Sequence, residues 1–275
     1  FIAYMYTIAE LTERINTEVE KIQYSTEPKN LYDPIRYILS IGGKRIRPVL
    51  ALACAEVLGV SADEMLPFAL ALEMIHTYSL IHDDLPTMDN DDYRRGRLTN
   101  HKVYGEDMAI LAGDGLLHHA METMADACLK NPTPQTTGAM KAIAHGAGVF
   151  GMLTGQVVDV FMEGKPLDIE TLDFIHLNKT AAMIRGALES GAICGGADAE
   201  TVAQFGLAGE KIGVAFQILD DILDVTSTLE ELGKPGSLVF QDKDGNDLDV
   251  LYANGPTCTV QPKIEAFAEY VNIAD

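Results

Sequence analysis

Positive charge is scarce in this chain: 20 Lys and Arg stand against 41 Asp and Glu over 275 residues, a formal charge of −21. That excludes a nucleic acid or an anionic membrane surface as the main partner, because both require a basic face. An anionic substrate would have to be met by metal ions or by a local basic cluster that reverses the field. Cysteine is scarce too. Cys54, Cys128, Cys194 and Cys258 form no CxxC pair and have no histidine at metal spacing. They read as small core residues of a reduced compartment, not as a zinc site or a disulfide framework. No apolar run reaches the roughly 20 residues of a membrane span; the most apolar stretch, Leu66 to Ile81, is broken by Glu73 and His76. The opening residues carry early acidic groups and lack an apolar run with a cleavage site, so no signal peptide is expected. These absences lead us to expect a soluble, cytoplasmic protein. No G-x-G-x-x-G follows a strand pattern and no Walker sequence occurs.

What is present is helical period. Leu11, Ile15, Val19 and Ile22 recur at spacings of three and four, one apolar stripe on an otherwise charged helix. Pro48–Leu58 and Met65–His82 are apolar on most sides, as in helices buried within a bundle. Ser61 with Glu64 forms a capping-box signature at the start of the second. Further helical segments are expected over Asp107–Ala127, Thr137–Phe161, Leu167–Ile193 and Glu200–Val225, with loops at the Pro- and Gly-rich breaks between them. Small residues across Ala142–Gly155 suggest close helix–helix approach. No useful length up to Val225 alternates with period two. The fold class expected is all-α, a single domain spanning residues 1–275. The chain changes character after Leu232, where a Gly- and Asp-rich stretch loses helical period until Lys263.

Three features carry the chemistry. The first is the run from His82 to Gly96, with Asp83, Asp84, Asp89, Asp91 and Asp92 directly after a buried helix. Pro86 cannot continue that helix, so Asp83 and Asp84 should sit at its end and Asp89 should return from the irregular segment. Carboxylates crowded at a helix C-terminus oppose its dipole and repel each other, which calls for a cation. The second feature is Asp220, Asp221 and Asp224 within Phe216–Asp224, where Gln217, Asp220 and Asp224 share one helix face. Two such sets suit hard cations, and Mg²⁺ is favoured because it takes few carboxylates and keeps places for water and phosphate oxygens. The third is Gly42-Gly43-Lys44-Arg45-Ile46-Arg47-Pro48, three cations in four residues, with Arg94-Arg95 as a second basic pair. Basic groups beside clustered carboxylates suggest a metal-bridged polyphosphate site. His76 interrupts the buried helix about two turns before the carboxylates.

At these residues the chain resembles the trans-isoprenyl diphosphate synthase family, and within it the bacterial-type farnesyl diphosphate synthases. The matching stretches are GGKRIRP (Gly42–Pro48), IHTYSLIHDDLPTMDNDDYRRG (Ile75–Gly96), TNHKVYGEDMAILAGD (Thr99–Asp114), GMLTGQVVD (Gly151–Asp159), LNKTAAMIRGAL (Leu177–Leu188), FQILDDILD (Phe216–Asp224) and LGKP (Leu232–Pro235). The resemblance implies a class I isoprenoid synthase fold, helices around a central cavity, as a homodimer. It implies that an allylic diphosphate, dimethylallyl or geranyl, ionises with help from three Mg²⁺ ions. The double bond of isopentenyl diphosphate then attacks the cation and a proton is lost. By residue, it implies Asp83 and Asp89 as Mg²⁺ ligands with Asp84 assisting, and Asp220 for the third ion with Asp224 nearby. It gives Lys44, Arg47, His76 and Arg95 to isopentenyl diphosphate, and Arg94, Lys179, Thr180, Gln217 and Lys234 to the allylic substrate.

Tyr78 lies five residues before Asp83, about 7.5 Å along a helix. A ring there would floor a growing chain, and with Ser79 beside it the arrangement looks farnesyl-forming. Geranylgeranyl diphosphate is the alternative product. A class I terpene cyclase has little use for GGKRIRP, and a non-catalytic prenyltransferase subunit is at odds with intact aspartates in both clusters. Residues 236–261 depart from the family pattern. There Asp242–Asp249 only superficially suggests a calcium loop, with Ala253 where a bidentate Glu would stand, and reads as a polar turn.

Overall fold

The computed structural model describes residues 6–226, with side chains to residue 222, and the short pairs 240–241 and 247–248. Helices dominate: α1 (Ile8–Lys21), α2 (Lys29–Ser40), α3 (Ile46–Val57), α4 (Ala62–Asp83), α5 (Asn100–Tyr104), α6 (Glu106–Lys130), α7 (Pro134–Ala147), α8 (Met152–Met162), α9 (Ile169–Ile175), a π-helical segment (His176–Ala181), α10 (Ala182–Cys194) and α11 (Ala199–Thr226). Two units divide the chain, residues 1–219 and 220–275, and α11 carries the backbone across that boundary. In the second unit β3 (Phe240–Gln241) pairs antiparallel with β4 (Asp247–Leu248), which falls within the Asp242–Asp249 stretch expected to be a polar turn.

The core of the first unit forms around α4. Met65, Phe68, Leu72, Ile75 and Ile81 are fully buried, each stabilising the fold by about 1.5–3 kcal/mol relative to exposure. Because apolar residues occupy most of its circumference, α4 can pack against α3 and α6 at once. The α1 stripe appears as expected, with Leu11, Ile15 and Val19 buried. Small residues do mark a close approach: a Cβ on Gly146 of α7 would stand 2.6 Å from the Ala182 carbonyl oxygen at the start of α10.

Three local expectations are corrected. Thr137–Phe161 is not one helix; it breaks at residues 148–151 between α7 and α8, where Gly148 and Gly151 lower helix propensity. Ser61 caps α4 by accepting from the Asp63 amide, without the reciprocal Glu64 contact of a capping box. A short antiparallel ladder, β1 (Tyr93–Arg94) with β2 (Arg97–Leu98), was not signalled by any alternation. Its two-residue turn, Arg95-Gly96, has φ of 53° and 75°, the positive pair a type I′ hairpin requires. No described helix is long and apolar enough to cross a membrane.

Candidate active site

The helix α4 ends at Asp83, with Asp84 as its C-cap. Pro86 forces the chain away, and a compact turn follows in which the Met88 amide donates to Leu85 O and the Asn90 amide to the same carbonyl (2.9 and 3.1 Å). The Asp89 amide donates to Asp83 O at 2.9 Å. The turn thereby carries Asp89 back to the helix end, which plain helical continuation would not do. Asp83 Oδ1 accepts a 2.8 Å hydrogen bond from Gln156 Nε2 on α8. Asp84 turns inward, is fully buried, and accepts from Arg94 Nε at 2.7 Å. Its Oδ2 has no hydrogen-bond partner.

Basic groups approach from two elements. In the loop before α3, Lys44 is exposed and its Nζ lies 5.3 Å from the centre of the Phe216 ring on α11. Arg45, by contrast, is buried and paired with Glu73 of α4. The three clustered cations are therefore not equivalent, and the carboxylate that interrupted the apolar helix has a structural partner. On the hairpin, Arg94 is held between Asp84 and Asp91. The Arg95 guanidinium lies against Gly43, where a Cβ would be 2.5 Å from Nη1. His76 is half-buried on α4; burial, then the charges of Arg47, Arg95, Arg94 and Arg45, hold it well below the usual imidazole range. It is a neutral ring at pH 7.

The third wall is the π-helical segment. One extra residue in its turn advances Lys179 and Thr180 relative to a regular helix, a distortion common at functional sites. Lys179 Nζ donates to Asp159 of α8, and its charge acts on both Asp83 and Asp89. Thr180 Oγ1 donates to Gln217 Oε1 on α11 at 2.6 Å. Gly155 makes this approach possible, since a Cβ there would stand 2.2 Å from the Lys179 amide nitrogen. Tyr78 is 5 % exposed on α4, its ring edge-on to His82 at 5.7 Å. The Ser79 hydroxyl donates to His76 O of its own helix at 2.9 Å. Asp220 lies on α11 in the second unit; the Asp224 side chain and Lys234 lie outside the described residues.

Burial pushes Asp83 up to about 6; Lys179 opposes this, while Asp89 and Asp84 add to it. Asp84 is also pushed up to about 6 by burial, against Arg94 and with Asp91 and Asp89. Crowded, partly desolvated carboxylates with an unpartnered buried oxygen suit a hard divalent cation. Among the described residues no three His, Cys, Asp or Glu side chains close into a cage.

The profile of the family described as Polyprenyl synthetase matches residues 28–243. The chain belongs to that family. A geranylgeranyl diphosphate synthase of Cyanophora paradoxa is 47% identical over 235 residues, covering 85% of this chain and 77% of that protein. A farnesyl diphosphate synthase of Geobacillus stearothermophilus is also 47% identical, over 209 residues, covering 76% and 70%. Among solved structures, a geranyltransferase of Helicobacter pylori complexed with magnesium and isoprenyl diphosphate superposes with a TM-score of 0.78 at 31% identity, covering 96% of this chain and 86% of that one. The protein is thus an all-α trans-prenyltransferase. The family match ends inside the atypical stretch 236–261.

Gln156 and Asp159 carry no role in the sequence reading beyond their place in the GMLTGQVVD stretch, yet they touch Asp83 and Lys179. Their signal was readable. In MLTGQVVDVFM they are the polar pair three apart, on one face of an otherwise apolar helix beside a glycine.

Proposed function

We propose that the enzyme joins isopentenyl diphosphate to dimethylallyl and then geranyl diphosphate and releases farnesyl diphosphate. The observation that carries this reading is the return of Asp89 onto Asp83, flanked by the charge of Lys179. Asp83 and Asp89, with Asp84 assisting, would hold Mg²⁺, and Asp220 with Asp224 would hold a further ion, three in all by the family pattern. When bound, the ions neutralise charge on a departing diphosphate; the magnesium complex of the Helicobacter relative supports this.

Arg94, Lys179, Thr180, Gln217 and Lys234 would bind the allylic diphosphate, and Lys44, Arg47, His76 and Arg95 would bind isopentenyl diphosphate. Lys179 supplies positive charge where the allylic C–O bond breaks. His76, neutral, can hydrogen-bond a substrate oxygen without adding repulsion among the neighbouring arginines. The allylic cation is then attacked by the isopentenyl double bond, and proton loss yields a chain five carbons longer.

Product length rests on Tyr78, buried on α4 upstream of Asp83. Relatives named geranylgeranyl diphosphate synthase favour a twenty-carbon product as the second reading. Labelled isopentenyl diphosphate, offered with five-, ten- and fifteen-carbon allylic diphosphates, tests both. Farnesyl diphosphate should accumulate, and Tyr78→Ala should lengthen the product; an unchanged product spectrum in that variant would remove the floor. No incorporation with any primer would leave a cyclase or a silent subunit.

Homodimerisation is supported by strongly exposed Val149, Phe150, Val157 and Phe161 before and along α8, an apolar stripe suited to a second protein surface. A monomeric mass by light scattering would oppose it. The free thiols Cys54, Cys128 and Cys194 are in keeping with a cytoplasmic setting.

A further inference from the structure

Arg45 sits in the middle of the basic loop yet takes no part in its exposed surface. It is 5 % exposed and Glu73 is 2 % exposed. Its guanidinium forms an ion pair with Glu73, its Nε donates to Asn16 Oδ1 of α1 at 2.9 Å, and Nη2 donates to Leu39 O at 3.5 Å. One side chain therefore ties the loop to α1, α2 and α4 together. Its backbone has φ of 51°, a left-handed conformation that a non-glycine residue rarely adopts. Gly42, with φ of 83°, shares that geometry at no steric cost.

The consequence falls on its neighbours. With Arg45 drawn inward, Lys44 emerges into solvent over Phe216. Arg47, in the first turn of α3, lies within electrostatic reach of His76. The Glu73 charge also acts on Arg95, whose guanidinium covers Gly43. Glu73 is thus a buried counter-charge to two arginines on two different elements, one turn of α4 before His76.

We infer that the buried Arg45–Glu73 pair, braced by Asn16, is the positioning device that presents Lys44, Arg47 and Arg95 to the diphosphate of isopentenyl diphosphate. The inference rests on the assignment of this loop to that substrate. Neither Arg45 nor Glu73 touches substrate; both act through the residues they hold. An apolar pair of similar volume can often replace a buried ion pair without loss of stability, but it supplies no directional anchor for a left-handed backbone.

The test is steady-state kinetics on three variants: Arg45→Lys, the double replacement Arg45→Met with Glu73→Leu, and Arg47→Gln as a direct-contact control. Melting temperature and circular dichroism establish folding. In Arg45→Lys and in the folded double variant, KM for isopentenyl diphosphate should rise at least about tenfold, with kcat and KM for geranyl diphosphate little changed. An unchanged KM in those variants, with a raised KM in Arg47→Gln, would overturn the positioning role alone. An unchanged KM in all three would overturn the substrate assignment and this inference with it. Should the double variant not fold, Arg45→Lys, which keeps the charge but not the fork, decides the matter by itself.

Discussion

The amide of Asp89 donates to the carbonyl oxygen of Asp83 at 2.9 Å, so two carboxylates six residues apart in sequence are joined through the backbone at the end of one helix. Asn90 secures that turn, with φ of 54° and its amide bonded to Leu85 O. Asparagine and glycine tolerate this conformation; a β-branched residue does not. Asn90→Gly should leave activity and Mg²⁺ dependence near those of the parent. Asn90→Val should cost roughly 1–2 kcal/mol of backbone strain and raise the Mg²⁺ concentration needed for half-maximal turnover. A magnesium titration of both variants checks this, and identical curves would count against the turn as the feature that pairs the aspartates.

His76 links pH to stability. Its folded pKa lies well below the ordinary value of 6.5, so between the two values the unfolded chain binds a proton that the native protein does not. Stability from this residue is full above about pH 6.5 and is lost as pH falls below it, by up to about 1.4 kcal/mol per pH unit. His76→Gln removes this titration. Melting temperatures measured from pH 7.5 to pH 5 should fall less steeply in that variant than in the parent, and parallel curves would contradict the assignment.

Gly155 leaves no room for a side chain against the π-helical segment, with the Lys179 amide 2.2 Å from the site of a Cβ. Gly155→Ala should cost about 1–3 kcal/mol by overpacking. It should also shift Lys179 and Thr180, raising KM for geranyl diphosphate more than that for isopentenyl diphosphate. Kinetics with each substrate varied in turn separate the two effects.

The helices were legible because burial writes its period into apolar residues: the α1 stripe and the uniformly apolar α4 are cases in point. The place where α4 stops was legible from Pro86. What was not legible depended on contacts distant in sequence. Glu73 looked like an interruption until Arg45 met it, and Arg45 looked like its two basic neighbours until it turned inward. The π-helical segment has the sequence pattern of ordinary helix, since one extra residue in a turn barely disturbs a pattern that tolerates spacings of both three and four. The hairpin carrying Arg94 and Arg95 is too short to alternate.

Turnover of Asp83→Ala, measured with geranyl and isopentenyl diphosphates at saturating Mg²⁺ beside its circular dichroism and melting temperature, is the most direct test of a metal–diphosphate site at the end of α4. The expected result is a loss of at least roughly a thousandfold in kcat with the helical signal intact. Near-parental turnover in a folded Asp83→Ala would contradict it.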